Sequence, residues 1–208
     1  MSFVHLHVHT RYSLLSSTAR IQLLAEKAAA DGQPALAITD RGNMFGVPEF
    51  VLACKKHGVK PIIGCEWYVA SEDHTKASSK EHNQTYRMVA LAMNATGYSN
   101  LCKLSHIAYK DGFYRVPRVG KQHLEAYREG LVFIDCSVQS EARALFKRGN
   151  LDASKALLTH YRDTFGEQYF VGVQRHGAVA DEQAWNTQLI AWIDELDLQP
   201  VATNDVLY

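Results

Sequence analysis

The chain has 208 residues, of which 47% are hydrophobic and 21% charged, an ordinary globular composition that suits one sizeable core better than two domains. Lys plus Arg and Asp plus Glu both number 22, which excludes the overall basic excess of a domain that grips nucleic-acid backbone across its whole surface. Four scattered cysteines, Cys54, Cys65, Cys102 and Cys136, form no C-x-x-C pair and point to a reducing cytoplasm. No basic-then-apolar leader opens the chain, and no window nears ~18 consecutive apolar residues, so neither a signal peptide nor a membrane span is expected.

Phe3 to Val8 reads as a strand, followed by a helix from about Thr18 to Ala30 with Leu23, Leu24 and Ala28 as its apolar stripe. Asp31-Gly32-Gln33-Pro34 stops that helix, and Ala35 to Thr39 is a short apolar run suited to a buried parallel strand. The alternation repeats with a helix from Pro48 to Lys56, ended by His57-Gly58, and a strand from Pro61 to Val69. A polar loop from Ser71 to Thr85 precedes a strand from Tyr86 to Met93. Helical patterns then cover Tyr98 to Tyr109, His123 to Arg128, Glu141 to Arg148, Leu151 to Thr164 and Glu182 to Leu196. The remaining strands are Leu131 to Cys136, Tyr169 to Gln174 and Pro200 to Thr203.

Seven short strands separated by helices predict a parallel α/β sheet with right-handed crossovers, either open and doubly wound or closed into a barrel. No G-x-G-x-x-G follows the first strand, so nothing supports a dinucleotide fold. Tyr208 comes just past the last strand with no helix to cover it, which predicts a fragment of a longer polypeptide.

The densest chemical signal is His5-Leu6-His7-Val8-His9. Alternate residues of a strand face one side, so three imidazoles are expected to project together, and H-x-H is a compact way to present metal ligands. The competing reading is a polar barrel interior of hydrogen-bonded histidines. Other polar groups end other strands: Asp40 after the second, Glu66 within the third, Asp135-Cys136-Ser137 at the fifth, Thr203-Asn204-Asp205 at the last. Singly, Asp40 and Asp205 read as caps. Together with the histidine row they predict a shared site at the C-terminal strand ends, which favours the barrel.

The stretch Phe3-Val4-His5-Leu6-His7-Val8-His9-Thr10-Arg11-Tyr12-Ser13-Leu14-Leu15 resembles the opening motif of polymerase-and-histidinol-phosphatase (PHP) domains in bacterial DNA polymerase III alpha subunits. Pro34 to Asp40, Gly42-Asn43-Met44-Phe45-Gly46, Lys60 to Glu66, Thr96 to Leu104, Gln174-Arg175-His176-Gly177 and Ala202 to Asp205 extend the likeness over nearly the whole chain. The resemblance implies a distorted (β/α)7 barrel, a cluster of up to three metal ions, and a parent enzyme that extends DNA. By the same resemblance His7, His9, Glu66, Cys136 and Asp205 match metal ligands. Ser16, Arg41, Arg87 and Leu207 stand where the family has Asp, His, His and His, and Arg cannot be deprotonated to ligate.

The expectation is therefore a domain of a DNA-replicating polymerase with a degraded metal site and no catalysis of its own. No cofactor is expected beyond Zn2+ or Mn2+ held weakly by His7, His9 and Glu66. The expected partners are the remainder of the polymerase chain, a proofreading exonuclease subunit, and DNA through the parent polymerase, with no membrane. The alternatives are a residual metal-dependent 3′–5′ exonuclease or phosphoesterase, and a freestanding phosphatase, against which the Gly42–Gly46 and Thr96–Leu104 stretches speak. Arg41 is expected to bridge Glu66 and Asp205, because unpaired buried carboxylates would repel one another.

Overall fold

A computed structural model describes residues 3–75, 84–136, 138–177 and 179–208. Its strands are β1 (Ala35–Ile38), β2 (Lys60–Ala70), β3 (Thr85–Ala92), β4 (Phe113–Tyr114), β5 (Val116–Val119), β6 (Leu131–Asp135), β7 (Tyr169–Val173) and β8 (Gln199–Ala202). The α-helices are α1 (Ile21–Ala30), α2 (Val47–His57), α3 (Ala95–Lys110), α4 (Lys121–Ala126), α5 (Glu141–Lys147), α6 (Leu151–Phe165) and α7 (Glu182–Glu195). Local chemistry sets several of these limits. Asn94 caps α3 by accepting from Gly97 N, and Gly58 ends α2 in the left-handed region at φ 71°. Helix α1 buries Ile21, Ala25 and Ala28, one helical face, whereas Leu23 of the expected stripe is exposed.

The sheet is mixed, not all-parallel. Its order is β4-β5-β2-β3-β6-β7-β8, with β1 also on β2. The long β2 shares one edge between β1, paired through Ala35↔Lys60 to Ile38↔Ile63, and β5, paired at Tyr68↔Arg118. Strand β3 runs antiparallel to both β2 and β6. No helical pattern lies between Val69 and Tyr86 in the sequence, and without a crossover helix two neighbouring strands pair antiparallel. The β6-β7-β8 part keeps the expected parallel order, and α6 and α7 connect it.

The expected first strand is not a regular ladder. The extended segment at 5–9 makes one parallel bridge, Val8 to Val206, with His9 N donating to Val206 O and Val206 N to His7 O. On its other side Ala37 N donates to His5 O and Thr39 N to Val8 O, while the Thr39 hydroxyl accepts from Val8 N at 2.8 Å. A side chain thus takes a bond that a strand neighbour would make. The sheet curls far enough for this one segment to touch both β1 and the residues after β8. Val8 faces outward into a cluster with Ile21, Leu36, Ile38 and Phe50, which leaves His7 and His9 facing inward. A larger cluster around Trp67, Phe133, Leu158, Tyr169 and Trp192 packs further helices onto the outer face of the sheet.

Candidate metal centre

His7, His9 and Glu66 are fully buried and converge inside the curled sheet. His7 and His9 Nε2 lie 3.1 Å apart, His7 Nε2 is 3.2 Å from Glu66 Oε1, and His9 Nε2 is 2.9 Å from Asp205 Oδ1. Cys136 Sγ lies 3.4 Å from His7 Nδ1, with the Gln174 amide 3.3 Å from the same nitrogen. All five sequence-predicted ligand positions therefore meet at one place, although Cys136 reaches it through His7. His5 does not join them: its ring is edge-on to Phe3 at 4.8 Å and lies near Asp31. Ser137 falls outside the described residues.

Two arginines enter the same centre. Arg41 donates from Nε to Glu66 Oε2 at 2.9 Å and from Nη2 to Asp205 Oδ2 at 3.4 Å. Arg87 donates from Nη1 to Glu66 Oε2 at 3.3 Å, and its guanidinium stacks over the Tyr68 ring. Arg87 arrives because β3 is antiparallel, so its beginning lies beside Tyr68, near the later part of β2. The bridging geometry expected of Arg41 is the one observed.

The electrostatics follow. Burial alone would raise the Glu66 pKa, but His7, His9 and Arg87 together pull it far below the usual carboxylate range. Burial likewise opposes the charged imidazole of His7, yet Cys136 and Glu66 outweigh it and hold its pKa well above the ordinary histidine value. Asp205 is lowered against its burial by His9 and His7. Glu66 and Asp205 thus sit among His7 and the guanidinium groups of Arg41 and Arg87, a network of opposite charges.

Asp40, expected as part of the shared site, supports it from outside together with Thr10 and Ser13, which sequence reasoning missed. The Asp40 carboxylate accepts from Thr10 N at 2.6 Å, Thr10 Oγ1 at 2.7 Å and Ser13 Oγ at 2.6 Å. Ser13 Oγ also lies 3.1 Å from His9 Nδ1, so Asp40 fixes the ring of His9 through a hydroxyl without reaching the centre itself. The T-x-x-S spacing after His9 was the available signal. Ser17 Oγ donates to Leu207 O and ties this loop to the end of the chain.

Ligand atoms of His7, His9 and Glu66 lie within 4.8 Å of one another, enough for one ion. Arg41 and Arg87 place guanidinium N–H groups on Glu66 Oε2 and Asp205 Oδ2, whereas Glu66 Oε1 and Asp205 Oδ1 carry none. Among the described residues no helix is long and apolar enough to cross a membrane.

The model of the PHP domain family matches residues 5–176. Over its whole length the chain is 42% identical to DNA polymerase III subunit alpha of Treponema pallidum and 35% identical to that of Helicobacter pylori, and it spans 18% of the length of each. A solved structure described as a candidate metal-dependent phosphoesterase from Bifidobacterium adolescentis shares the fold, with a TM-score of 0.60 at 16% identity over 100% of this chain and 88% of that one. An amidohydrolase from Chromobacterium violaceum does so with a TM-score of 0.56 at 13% identity, over 98% and 87%. By the extent of the family match the chain belongs to the PHP domain family, and its curated relatives are DNA polymerase III alpha subunits.

Proposed function

We propose that this chain serves as the PHP module of a cytoplasmic replicative DNA polymerase, with an ion-pair network in place of a catalytic metal cluster. Its fold is read as a distorted (β/α)7 barrel in which the segment at 5–9 stands for the first strand. The observation that carries the reading is the single guanidinium of Arg41 reaching both Glu66 and Asp205. That arrangement neutralises buried carboxylates from within the chain, and Arg does it in a planar fork that no point charge reproduces. Hydrolysis of phosphoesters by paired metals requires those oxygens to be free for metal. The module's role is then to stabilise the polymerase that contains it and to dock a separate proofreading exonuclease subunit. DNA is engaged by the parent polymerase.

The test combines two measurements on protein purified without chelator. Elemental analysis is expected to find well under one transition-metal ion per chain. Assays on single-stranded and primed DNA with Mn2+, Zn2+ or Mg2+ are expected to show no turnover. Metal-dependent cleavage abolished by His9→Ala would overturn the reading. It would favour the second one, a residual metal-dependent 3′–5′ exonuclease or phosphoesterase, which draws on the proximity of His7, His9 and Glu66. Docking is tested by co-elution with the exonuclease subunit from the same organism.

A further inference from the structure

The Thr96–Leu104 motif lies on α3 and takes no part in the centre just described. We propose that the outer face of α3, continued by the β4–β5 hairpin and Phe45, binds single-stranded nucleic acid. The choice of polyanion rests on the polymerase reading above and on the chemistry of the face itself.

Helix α3 has no Asp or Glu in its 16 residues. Its exposed positions include Tyr98, Lys103, His106, Tyr109 and Lys110. In a chain of zero formal net charge this is a local excess of one sign; α7, by contrast, carries acids and no Lys or Arg. Asp111, the C-cap of α3, is acidic and lies at its end. Tyr98 and Tyr109 are eleven residues apart, about three turns, and so share a face about 16 Å long.

From Tyr109 the aromatic surface continues. Phe113 stacks on it with ring centroids 5.9 Å apart at 26°, and the Phe45 ring lies 6.0 Å from it. Phe45 is 60% exposed, Phe113 56% and Tyr109 39%. Adjacent exposed rings mark an interaction surface. Cations rest on neighbouring rings, Lys103 over Tyr127 and Arg115 over Tyr114. Arg115 is held at φ 61° between β4 and β5, a conformation that costs any residue other than glycine energy and that clusters at binding sites. The hairpin also abuts the loop of Arg41, since Gly42 packs on Pro117 and Tyr68. Rings and cations without interspersed acids suit stacked bases and phosphates, whereas an apolar peptide groove would not need the cations.

The test is fluorescence anisotropy of a labelled oligothymidylate with the 208-residue chain in EDTA, so that no metal-dependent cleavage can consume the probe. Binding at about 50 mM salt that weakens as salt rises is expected. Tyr109→Ala and Phe113→Ala should each weaken it about 5- to 150-fold, while Tyr109→Phe keeps the ring and the affinity. Lys103→Glu with Lys110→Glu should lower both affinity and salt dependence. No binding at low salt, or binding indifferent to the ring substitutions, overturns the proposal. So does loss of exonuclease-subunit binding in Tyr109→Ala with oligonucleotide affinity unchanged, which would make the face a protein dock. Failure here leaves the polymerase reading intact, because that reading falls on metal-dependent cleavage, which the EDTA experiment does not measure.

Discussion

Arg41 and Glu66 are joined twice, through backbone and through side chain. Glu66 N donates to Asp40 O at 3.2 Å and Gly42 N to Glu66 O at 2.8 Å, a parallel bridge that aligns the two residues, and Arg41 Nε then donates to Glu66 Oε2 at 2.9 Å. Because the backbone fixes both Cα positions, the guanidinium loses little freedom when it pairs. Arg41→Ala would leave Glu66 to Arg87 and the two histidines, and strip Asp205 of its guanidinium. Breaking a buried pair typically costs ~3–5 kcal/mol, and the loss here should fall at the low end, near 3, because Arg87 remains. Urea denaturation at pH 7 checks it. Arg41→Lys should recover only part of the loss, since one ammonium cannot fork between two carboxylates.

Restoring the missing ligands should bring metal back. Ser16→Asp, Arg41→His, Arg87→His and Leu207→His together remove both guanidinium groups from Glu66 and add four donors. His9 keeps its orienting chain through Ser13 to Asp40. Loss of such support typically costs ~10–100-fold in metal affinity, so retaining it favours binding. The expected outcome is at least one Zn2+ or Mn2+ per chain by elemental analysis. A folded quadruple variant with background metal would show that these positions are not ligand positions.

Much of this was legible in the residues. Helices α3, α6 and α7 follow from apolar periodicity, and α2 from its Gly58 stop, because those signals are local. The pairing of β2 with β3 was less so: strand direction depends on the connection, and a parallel sheet was expected although no helix separates the two. Strands β4 and β5 went unread because two- and four-residue runs carry no period. At the centre, the H-x-H alternation placed His7 and His9 correctly but not His5, which precedes the point where Thr39 fixes the segment. Arg87 was read as a lost ligand only, since its second role depends on the antiparallel β3.

The pH dependence of stability should carry a signature of Asp135. This buried carboxyl accepts from Tyr169 Oη at 3.3 Å, and burial, outweighing its hydrogen bonds from Ser140 and Tyr169, pushes its pKa from 3.8 up to about 6. A pKa raised in the folded state means that folding favours the protonated form. The stabilisation is complete below about pH 3.8 and is lost as pH rises through about 6. At about 1.4 kcal/mol per tenfold change in acidity the difference approaches ~3 kcal/mol. Asp135→Asn, which mimics the neutral form, should raise Tm at pH 8 and change it little below about pH 3.8. An equal effect at both values would show that Asp135 titrates normally.

Gly97, the single glycine of α3, should resist replacement for a reason opposite to helix propensity. Ala is favoured over Gly inside a helix by about 1 kcal/mol. At position 97, however, a Cβ would overlap the carbonyl oxygen of Gly130 and meet its carbonyl carbon at 2.7 Å. That carbonyl cannot move freely, because it accepts from Met93 N at 2.9 Å. Gly130 is itself at φ 71°, with Asn94 Oδ1 where its own Cβ would go. Asn94 caps α3 through Gly97 N, so the cap, the two glycines and the turn into β6 form one close contact. Overpacking of this kind costs ~1–3 kcal/mol. Gly97→Ala is therefore expected to lose about 2 kcal/mol by chemical denaturation. Gly58→Ala gives the contrast: its φ of 71° strains alanine, but nothing lies within 4 Å of a new Cβ. It should lose only about 1 kcal/mol, the backbone cost alone. If Gly97→Ala were the milder of the two, the close approach of α3 to the turn at Gly130 would be wrong.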